Sequence, residues 1–487
     1  MTDTIQTMYT WSEFAPAFGL VGLAIVLLMA DAFLPKFPKQ AYAIAGAIGC
    51  AVAAYACASG ETLMGYFAAL ACVATGVCLL ISFDYRSITC ESVNGGLTQE
   101  GSGEFNILPL IATAGICALC QAQDLITLFV SLEVVTLSSY VLVGYYRRNQ
   151  GSIEAGVKYL ILGALSTGML VFGAAWYFGM TGSFILDPVV YAQALYGGEA
   201  HHPTIFLGFL MALCFLLFGA FFKVGAAPMH TWIPDVYQGA PTPISAFLAV
   251  SSKVAGFIVL IALLAPIAEL GAALQAPVTY LVTIMAVVGA ATLLIGNLGA
   301  IPQTNAKRLL GYSSIGQAGF ILAFFQGGTC SATDVIQYLL AYGLATLPAF
   351  CAIALVRQQR GSEEISAFRG LARTNPRLAF LITVCFASLA GVPLTAGFLV
   401  KLKAFIAILQ ANLSFAWMGW AMLIIMIICA AAGFYYYFKV IRAMYWEKPQ
   451  AADQPIRIPV SSGAIITLCA ILLIITGTMP LLYNYAF

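Results

Sequence analysis

Residues 221–235 read Phe221-Phe222-Lys223-Val224-Gly225-Ala226-Ala227-Pro228-Met229-His230-Thr231-Trp232-Ile233-Pro234-Asp235. They follow an apolar, charge-free run over 200–222, about the ~20 residues that cross a bilayer as one helix. Pro228 and Pro234, six apart, each remove a backbone donor, and with Gly225 they interrupt the i→i−4 ladder. In lipid the freed carbonyls need partners, so broken backbone is tolerated only where it lines a wet or protein-buried cavity. Lys223 stands five residues before Pro228, where it can meet such a cavity. The stretch therefore reads as a membrane helix broken inside the hydrocarbon, with a charge at the break.

Outward from this stretch, charge-free runs recur at 40–60, 62–83, 159–186, 270–306, 309–333, 335–356, 378–400, 404–438 and 458–487. Allowing for single embedded charges, the pattern predicts fourteen helices. They fall near 13–33, 41–60, 62–83, 106–122, 124–146, 156–180, 204–236, 243–266, 277–298, 303–326, 333–356, 377–411, 414–441 and 461–484. The evenly spaced alternating segments of a barrel are absent. Of 487 residues, 61% are apolar and 8% charged, against about a quarter charged in a soluble domain. The mean hydropathy is +0.94. The expected class is an all-α polytopic membrane protein. A formal charge of +1 supplies no basic field, so nucleic-acid binding is excluded.

Lys36, Lys39, Arg86, Arg147, Arg148, the group from Arg357 to Arg377, and Lys439, Arg442, Lys448 and Arg457 all fall in odd-numbered connections. The positive-inside rule then puts both termini on the outer side. The start, with Asp3 and Glu13 but no Lys or Arg before the first span, does not resemble a signal peptide. The longest polar connections are 84–105, 181–203, 357–376 and 443–458, and no soluble domain is expected. Among 13 cysteines the only close pair is Cys117 and Cys120, with no second pair or nearby His to complete a site. They read as small buried apolar residues. His201, His202 and His230 are too few for haem ligation on facing helices. No metal, cofactor or redox centre is expected in this chain.

Five ionisable residues lie well inside predicted spans: Glu133 in the fifth, Lys158 in the sixth, Lys223 in the seventh, Lys253 in the eighth and Lys401 in the twelfth. At roughly 2.5–3.5 kcal/mol each, their insertion costs on the order of 12–17 kcal/mol together. That rivals a whole folding stability of about 5–15 kcal/mol. Such residues must pair, meet water, or both. Burial disfavours the charged form of an ammonium and a nearby carboxylate restores it. At about 7 Å and an effective dielectric of ~20, a Lys–Glu pair interacts by about 2.4 kcal/mol. The set reads as a proton relay in which Glu133 modulates Lys223, Lys253 is central and Lys401 is the far end. A static ion-pair ladder is the plainer alternative. Lys158 sits near its helix start, four residues after Glu154, and fits equally an i,i+4 pair that snorkels to the interface.

The predicted twelfth span has its own break at Gly391-Val392-Pro393, with Lys401 just beyond. Two broken helices, one in each half and each with a lysine near the break, match transporters built on internal repeats. His230, beside Trp232 and Asp235, fits a hydrogen-bonding or a relay role. Ser313 and Ser314 follow Lys307-Arg308 and suit interhelical bonds or water binding. Lys403 is expected to reach the outer interface.

The stretch from Pro228 to Pro243 resembles the broken-helix signature of the antiporter-like subunits of proton-pumping NADH:quinone oxidoreductase (complex I), a family related to Mrp antiporters. Val236-Tyr-Gln-Gly-Ala-Pro241 is similar to its N type rather than to the L and M types. So are Ser251-Ser-Lys-Val254, Glu154-Ala-Gly-Val-Lys-Tyr159, Lys307-Arg-Leu-Leu-Gly-Tyr-Ser-Ser-Ile315 and Gly391-Val-Pro-Leu-Thr-Ala-Gly-Phe398. The resemblance is dense over about 105–410. It implies fourteen helices, with the fourth to eighth (106–266) and ninth to thirteenth (277–441) forming two inverted repeats. Helices one to three (1–105) precede them and helix fourteen (461–487) follows. The resemblance also implies a proton path through Glu133, Lys223, Lys253 and Lys401, and K-, M- and L-type membrane neighbours. FMN, iron–sulfur clusters and quinone would belong to partner subunits, and a bacterial inner membrane with its lipids would be the setting. A lysine at position 401 favours the N over the M type, and the absence of a long helix after the fourteenth span disfavours the L type. The alternatives are an Mrp-type cation/proton antiporter subunit and a purely structural membrane-arm subunit.

Overall fold

The computed structural model describes residues 11–34, 38, 40–89, 103–146, 149–196, 203–270, 275–326, 331–411, 416–449 and 455–479. Lys36, Lys39, Arg147, Arg148, His201 and His202 lie outside the described residues. The described chain is helical throughout, as α1 (Ala15–Phe33), α2 (Gln40–Ala58), α3 (Leu63–Thr89), α4 (Glu104–Leu119), α5 (Leu125–Val143), α6 (Gln150–Thr181), α7 (Pro188–Tyr196), α8 (Pro203–Val224), α9 (Trp232–Gly239) and α10 (Thr242–Ala249). It continues as α11 (Ser251–Leu270), α12 (Gln275–Ala300), α13 (Ala306–Leu322), α14 (Ala332–Arg360), α15 (Leu371–Thr374), α16 (Pro376–Ala390), α17 (Ala396–Gln410), α18 (Ala416–Tyr445) and α19 (Val460–Thr478). Eleven segments are long and apolar enough to cross a membrane, and Glu104–Leu119 and Pro376–Ala390 are apolar but shorter. The chain is an all-helical multi-pass membrane protein.

Burial sorts these helices. The α10–α11 segment and α14 are almost wholly enclosed, whereas α1, α6 and α18 leave most of their apolar surface outward. In lipid an outward apolar face is already solvated, so the central helices are where polar residues need protein partners. One such partner set joins α3 to α19. Buried Asp84 accepts hydrogen bonds from Ser461 Oγ (2.8 Å), Ser462 N (3.1 Å) and Ser462 Oγ.

Two departures from the sequence reading concern boundaries. The predicted 243–266 helix is two helices, α10 and α11, that meet at Val250 (φ −113°, ψ −68°). The 181–203 connection holds the extra short helix α7.

One local device occurs twice. Asp124 caps α5 by accepting from the amides of Ile126 and Thr127, and it forms an isolated β-bridge with Ile185 after α6. Asn305 caps α13 by accepting from the amides of Lys307 and Arg308, and it bridges Glu364 after α14. An extended N-cap residue thus uses its side chain for the helix and its backbone for the loop beyond the next helix. Asn305 stands 181 positions after Asp124, so at that offset Glu133 corresponds to Ser314 and Thr136 to Gln317.

Candidate functional site

Three of the five predicted intramembrane charges are buried: Lys223 (3% exposed), Lys253 (1%) and Lys401 (6%). Each ammonium or its residue lies at a helix break. Lys223 occupies the last turn of α8. There Gly225, at φ +81°, and Ala226 both donate to Phe221 O and end the helix. A Cβ on Gly225 would fall 2.0 Å from Ile233 Cδ1, so the turn is closed to other residues. Trp232 Nε1 takes up the carbonyl of Phe222 (2.9 Å), and Ala227 N donates to Thr292 Oγ1 (2.9 Å). Lys223 Nζ donates to Thr136 Oγ1 on α5 (2.9 Å) and lies 6.0 Å from the centroid of the Tyr159 ring.

The second break closes in the same way. Gly391, at φ +91°, and Val392 both donate to Ala387 O and end α16. Gly391 therefore corresponds to Gly225, and Leu389 to Lys223. Lys401, on α17, reaches back and donates to Leu389 O (2.7 Å) and Ala390 O (2.9 Å). These are carbonyls that the break leaves without helical donors, at the negative end of α16. Lys223 precedes its proline and Lys401 follows one, yet Lys401 Nζ engages the carbonyl of Leu389, two residues before Gly391 as Lys223 is two before Gly225.

Lys253 sits in the first turn of α11, just after the bend at Val250, where the helix end repels a cation. Its Nζ leaves that end and donates to Ser314 O on α13 (2.5 Å), 5.3 Å from the Tyr342 ring centroid. The α8 and α11 backbones touch beside it, since a Cβ on Gly256 would lie 2.9 Å from Val224 N.

Polar groups on α13 link Lys253 to Lys401. Ser314 Oγ lies 3.3 Å from Tyr237 Oη, and Ser313 Oγ hydrogen-bonds to Tyr437 Oη. Gln317 Nε2 donates to Tyr437 Oη (3.2 Å) and to Leu389 O (3.2 Å), the same carbonyl that Lys401 engages. Tyr338 Oη donates to Gln317 Oε1 (2.5 Å). Gln317, Tyr338, Tyr342 and Lys401 also line a cavity of about 10 Å³, room for roughly one water molecule.

The other predicted residues stand apart. Glu133 is half-buried and accepts from Thr167 Oγ1 (2.8 Å). It lies one helical turn from Thr136 and makes no direct ion pair with Lys223 among the described residues. Lys158 is 43% exposed in its side chain and pairs with Glu154 (2.7 Å) and Asp235 (2.8 Å), the latter also held by Arg308 (2.6 Å). His230 is half-buried and Pro228 exposed in the linker between α8 and α9, and among the described residues His230 makes no hydrogen bond to the buried lysines. Pro234 is buried inside α9, and Pro393 follows the α16 break. Lys403 bonds Asp334 (3.3 Å) and Gln337, and so ties α17 to α14.

Residues 122–430 match the family described as NADH:quinone oxidoreductase/Mrp antiporter, TM. The NADH-quinone oxidoreductase subunit N of Bacillus anthracis is 33% identical over 492 residues, covering 98% of this chain and 94% of the relative. The chain belongs to this family. A chain of respiratory complex I from Thermus thermophilus superposes with a TM-score of 0.77 at 29% identity, covering 96% of this chain and 98% of that one. A chain of the Mrp complex from Dietzia shares the fold at 19% identity, with a TM-score of 0.77 over 98% of this chain and 96% of that one.

In this member of the NADH:quinone oxidoreductase/Mrp antiporter family, sequence reading missed Thr136, Gln317, Tyr338 and Tyr437. Gln317 was detectable, since it lies one turn beyond Ser313 on an otherwise apolar helix face. Tyr437 was hidden in Tyr435-Tyr436-Tyr437, where nothing in sequence says which hydroxyl turns inward. Lys307 was also missed as a buried charge. It is fully enclosed, bonded to Ala240 O (2.8 Å) and Glu363 (2.9 Å), and Glu363 is shared with Arg357.

Proposed function

We propose that the chain is a proton-translocating membrane-arm subunit of a respiratory NADH:quinone oxidoreductase in a bacterial inner membrane. Protons pass along Lys223, Lys253 and Lys401, and Glu133 biases the first of them. The observation that carries this reading is the chain of buried groups Lys253–Ser314/Ser313–Tyr437–Gln317–Leu389 O–Lys401. Three enclosed ammonium groups with one carbonyl or hydroxyl set each are poor structural cement, because unpaired buried charge costs several kcal/mol. The Ser313 and Tyr437 hydroxyls can pass a proton, whereas Ser314 O and Leu389 O only accept hydrogen bonds, so the path needs water across those two carbonyls, and the cavity beside Lys401 has room for one. The Tyr159 ring lies 6.0 Å from Lys223 Nζ, and its buried hydroxyl is paired with Ser252, the neighbour of Lys253 in the chain.

The chain then has fourteen spans, with α8–α9, α10–α11 and α16–α17 counted as single interrupted crossings and both termini on the outer side. The twin caps at Asp124 and Asn305, and the matching closures at Gly225 and Gly391, support inverted repeats over 106–266 and 277–441. Energy arrives from partner subunits that carry FMN, iron–sulfur clusters and quinone, through K-, M- and L-type neighbours. Moving one charge against 100 mV costs ~2.3 kcal/mol.

Combined Gln317→Leu and Tyr437→Phe replacement tests the link without removing a charge. In the assembled complex, redox-driven acidification is expected to fall roughly a hundredfold, the lower end for losing one proton-transfer element. Unchanged pumping with normal assembly would remove this link from the path.

A further inference from the structure

Cysteines 57, 72 and 117 carry no spacing motif, yet three helices bring them together. Cys57 is in the last turn of α2, Cys72 in α3 and Cys117 in α4. Their sulfur atoms all lie within 4.8 Å of one another, and Cys72 Sγ and Cys117 Sγ are 3.6 Å apart. The approach is built into the backbone. A Cβ on Gly65 would fall 2.4 Å from Cys57 O, so only glycine lets α3 pack this closely on the end of α2. Cys72 and Cys117 are buried, and Cys57 is partly open toward the exposed turn Ser59-Gly60-Glu61.

We propose that Cys57, Cys72 and Cys117 form a three-sulfur site for a soft monovalent cation of the copper(I) class, separate from the lysine path. Three sulfurs about 2.3 Å from a central ion, the metal–thiolate distance of zinc sites, stand about 4 Å apart, which the observed spacing brackets. Sulfur selects soft ions. Zinc in a structural site asks for four ligands, and Cys120, one turn beyond Cys117, is outside the group. The thiolate and not the thiol binds the metal, so binding releases one proton for each coordinating sulfur, and no electron is transferred.

The test is titration of the purified full-length chain in detergent with copper(I) against a chromogenic copper(I) chelator. The expected result is one retained ion per chain, with three sulfur neighbours by X-ray absorption. Cys57→Ser, Cys72→Ser and Cys117→Ser should each weaken retention at least tenfold, and Cys214→Ser on α8 should leave it unchanged. In the unmutated chain, copper(I) should also protect Cys57 from maleimide, as read by peptide mass spectrometry, so the proposal stays testable if a serine variant misfolds. Retention unaffected by the three serine changes, or Cys57 fully alkylated with copper(I) present, would overturn it. So would a four-sulfur shell lost in Cys120→Ser, or a Cys72–Cys117 disulfide in the chain as isolated.

Discussion

Lys223→Ala in the fully assembled complex is expected to lower quinone-linked electron transfer and proton pumping together, by roughly a hundredfold or more. The ammonium is buried at the α8 break, and it faces Thr136 rather than a fixed carboxylate. A direct ion pair would hold its proton. A hydroxyl partner, with Glu133 one turn away, leaves the proton free to move when the surrounding charge changes. Because pumping and electron transfer are coupled, both rates should fall by the same factor. Steady-state quinone reduction and acidification of the same proteoliposomes measure the two. Loss of assembly, read on native gels, would instead assign Lys223 a structural role.

Lys401→Ala should have an effect of similar size by a different route. The substitution removes the terminal group of the α13 chain and leaves Leu389 O and Ala390 O without their lysine donor. Leu389 O keeps Gln317 as a donor, while Ala390 O loses its charged donor at a cost of about 1–3 kcal/mol, so a lower melting temperature should accompany the loss of pumping. Lys401→Arg separates the two effects. The guanidinium can still donate to both carbonyls, but it does not release its proton. Stability should return toward that of the unsubstituted chain while pumping stays low. Recovery of pumping in Lys401→Arg would argue that only the helix cap matters at this position.

The fold class was legible because lipid leaves few options. Charge-free runs of bilayer length and the near absence of charge require helices, and the positions of Lys223 and Lys401 beside Gly and Pro pointed to broken ones. The bend at Val250 was not legible, since no Gly or Pro marks it and packing at the centre of the bundle overrides local propensity. Lys223, Lys253 and Lys401 were readable as buried from their cost in hydrocarbon, and Lys307, at the start of its helix, was not. Their connections were not legible, because an apolar helix shows its polar residues without showing which faces meet. Gln317 and Tyr437 become partners only once α13, α16 and α18 are placed. Lys158 forms the half-exposed i,i+4 pair with Glu154 that its place near the helix start allowed, and only its second partner, Asp235 from α9, was not legible. The repeated caps and closures were not legible as residue identities, because Ser314 stands where the cap offset puts Glu133, and Leu389 where the closure offset puts Lys223.

Redox-driven acidification by proteoliposomes that contain the intact complex with Glu133→Gln and Lys223→Met combined is the most direct measurement. Both replacements keep side-chain size while removing charge. A complex of normal subunit composition that no longer builds a pH gradient through this subunit is the expected result. A normal gradient from that same assembled complex would show that the buried charges hold helices together and carry no protons.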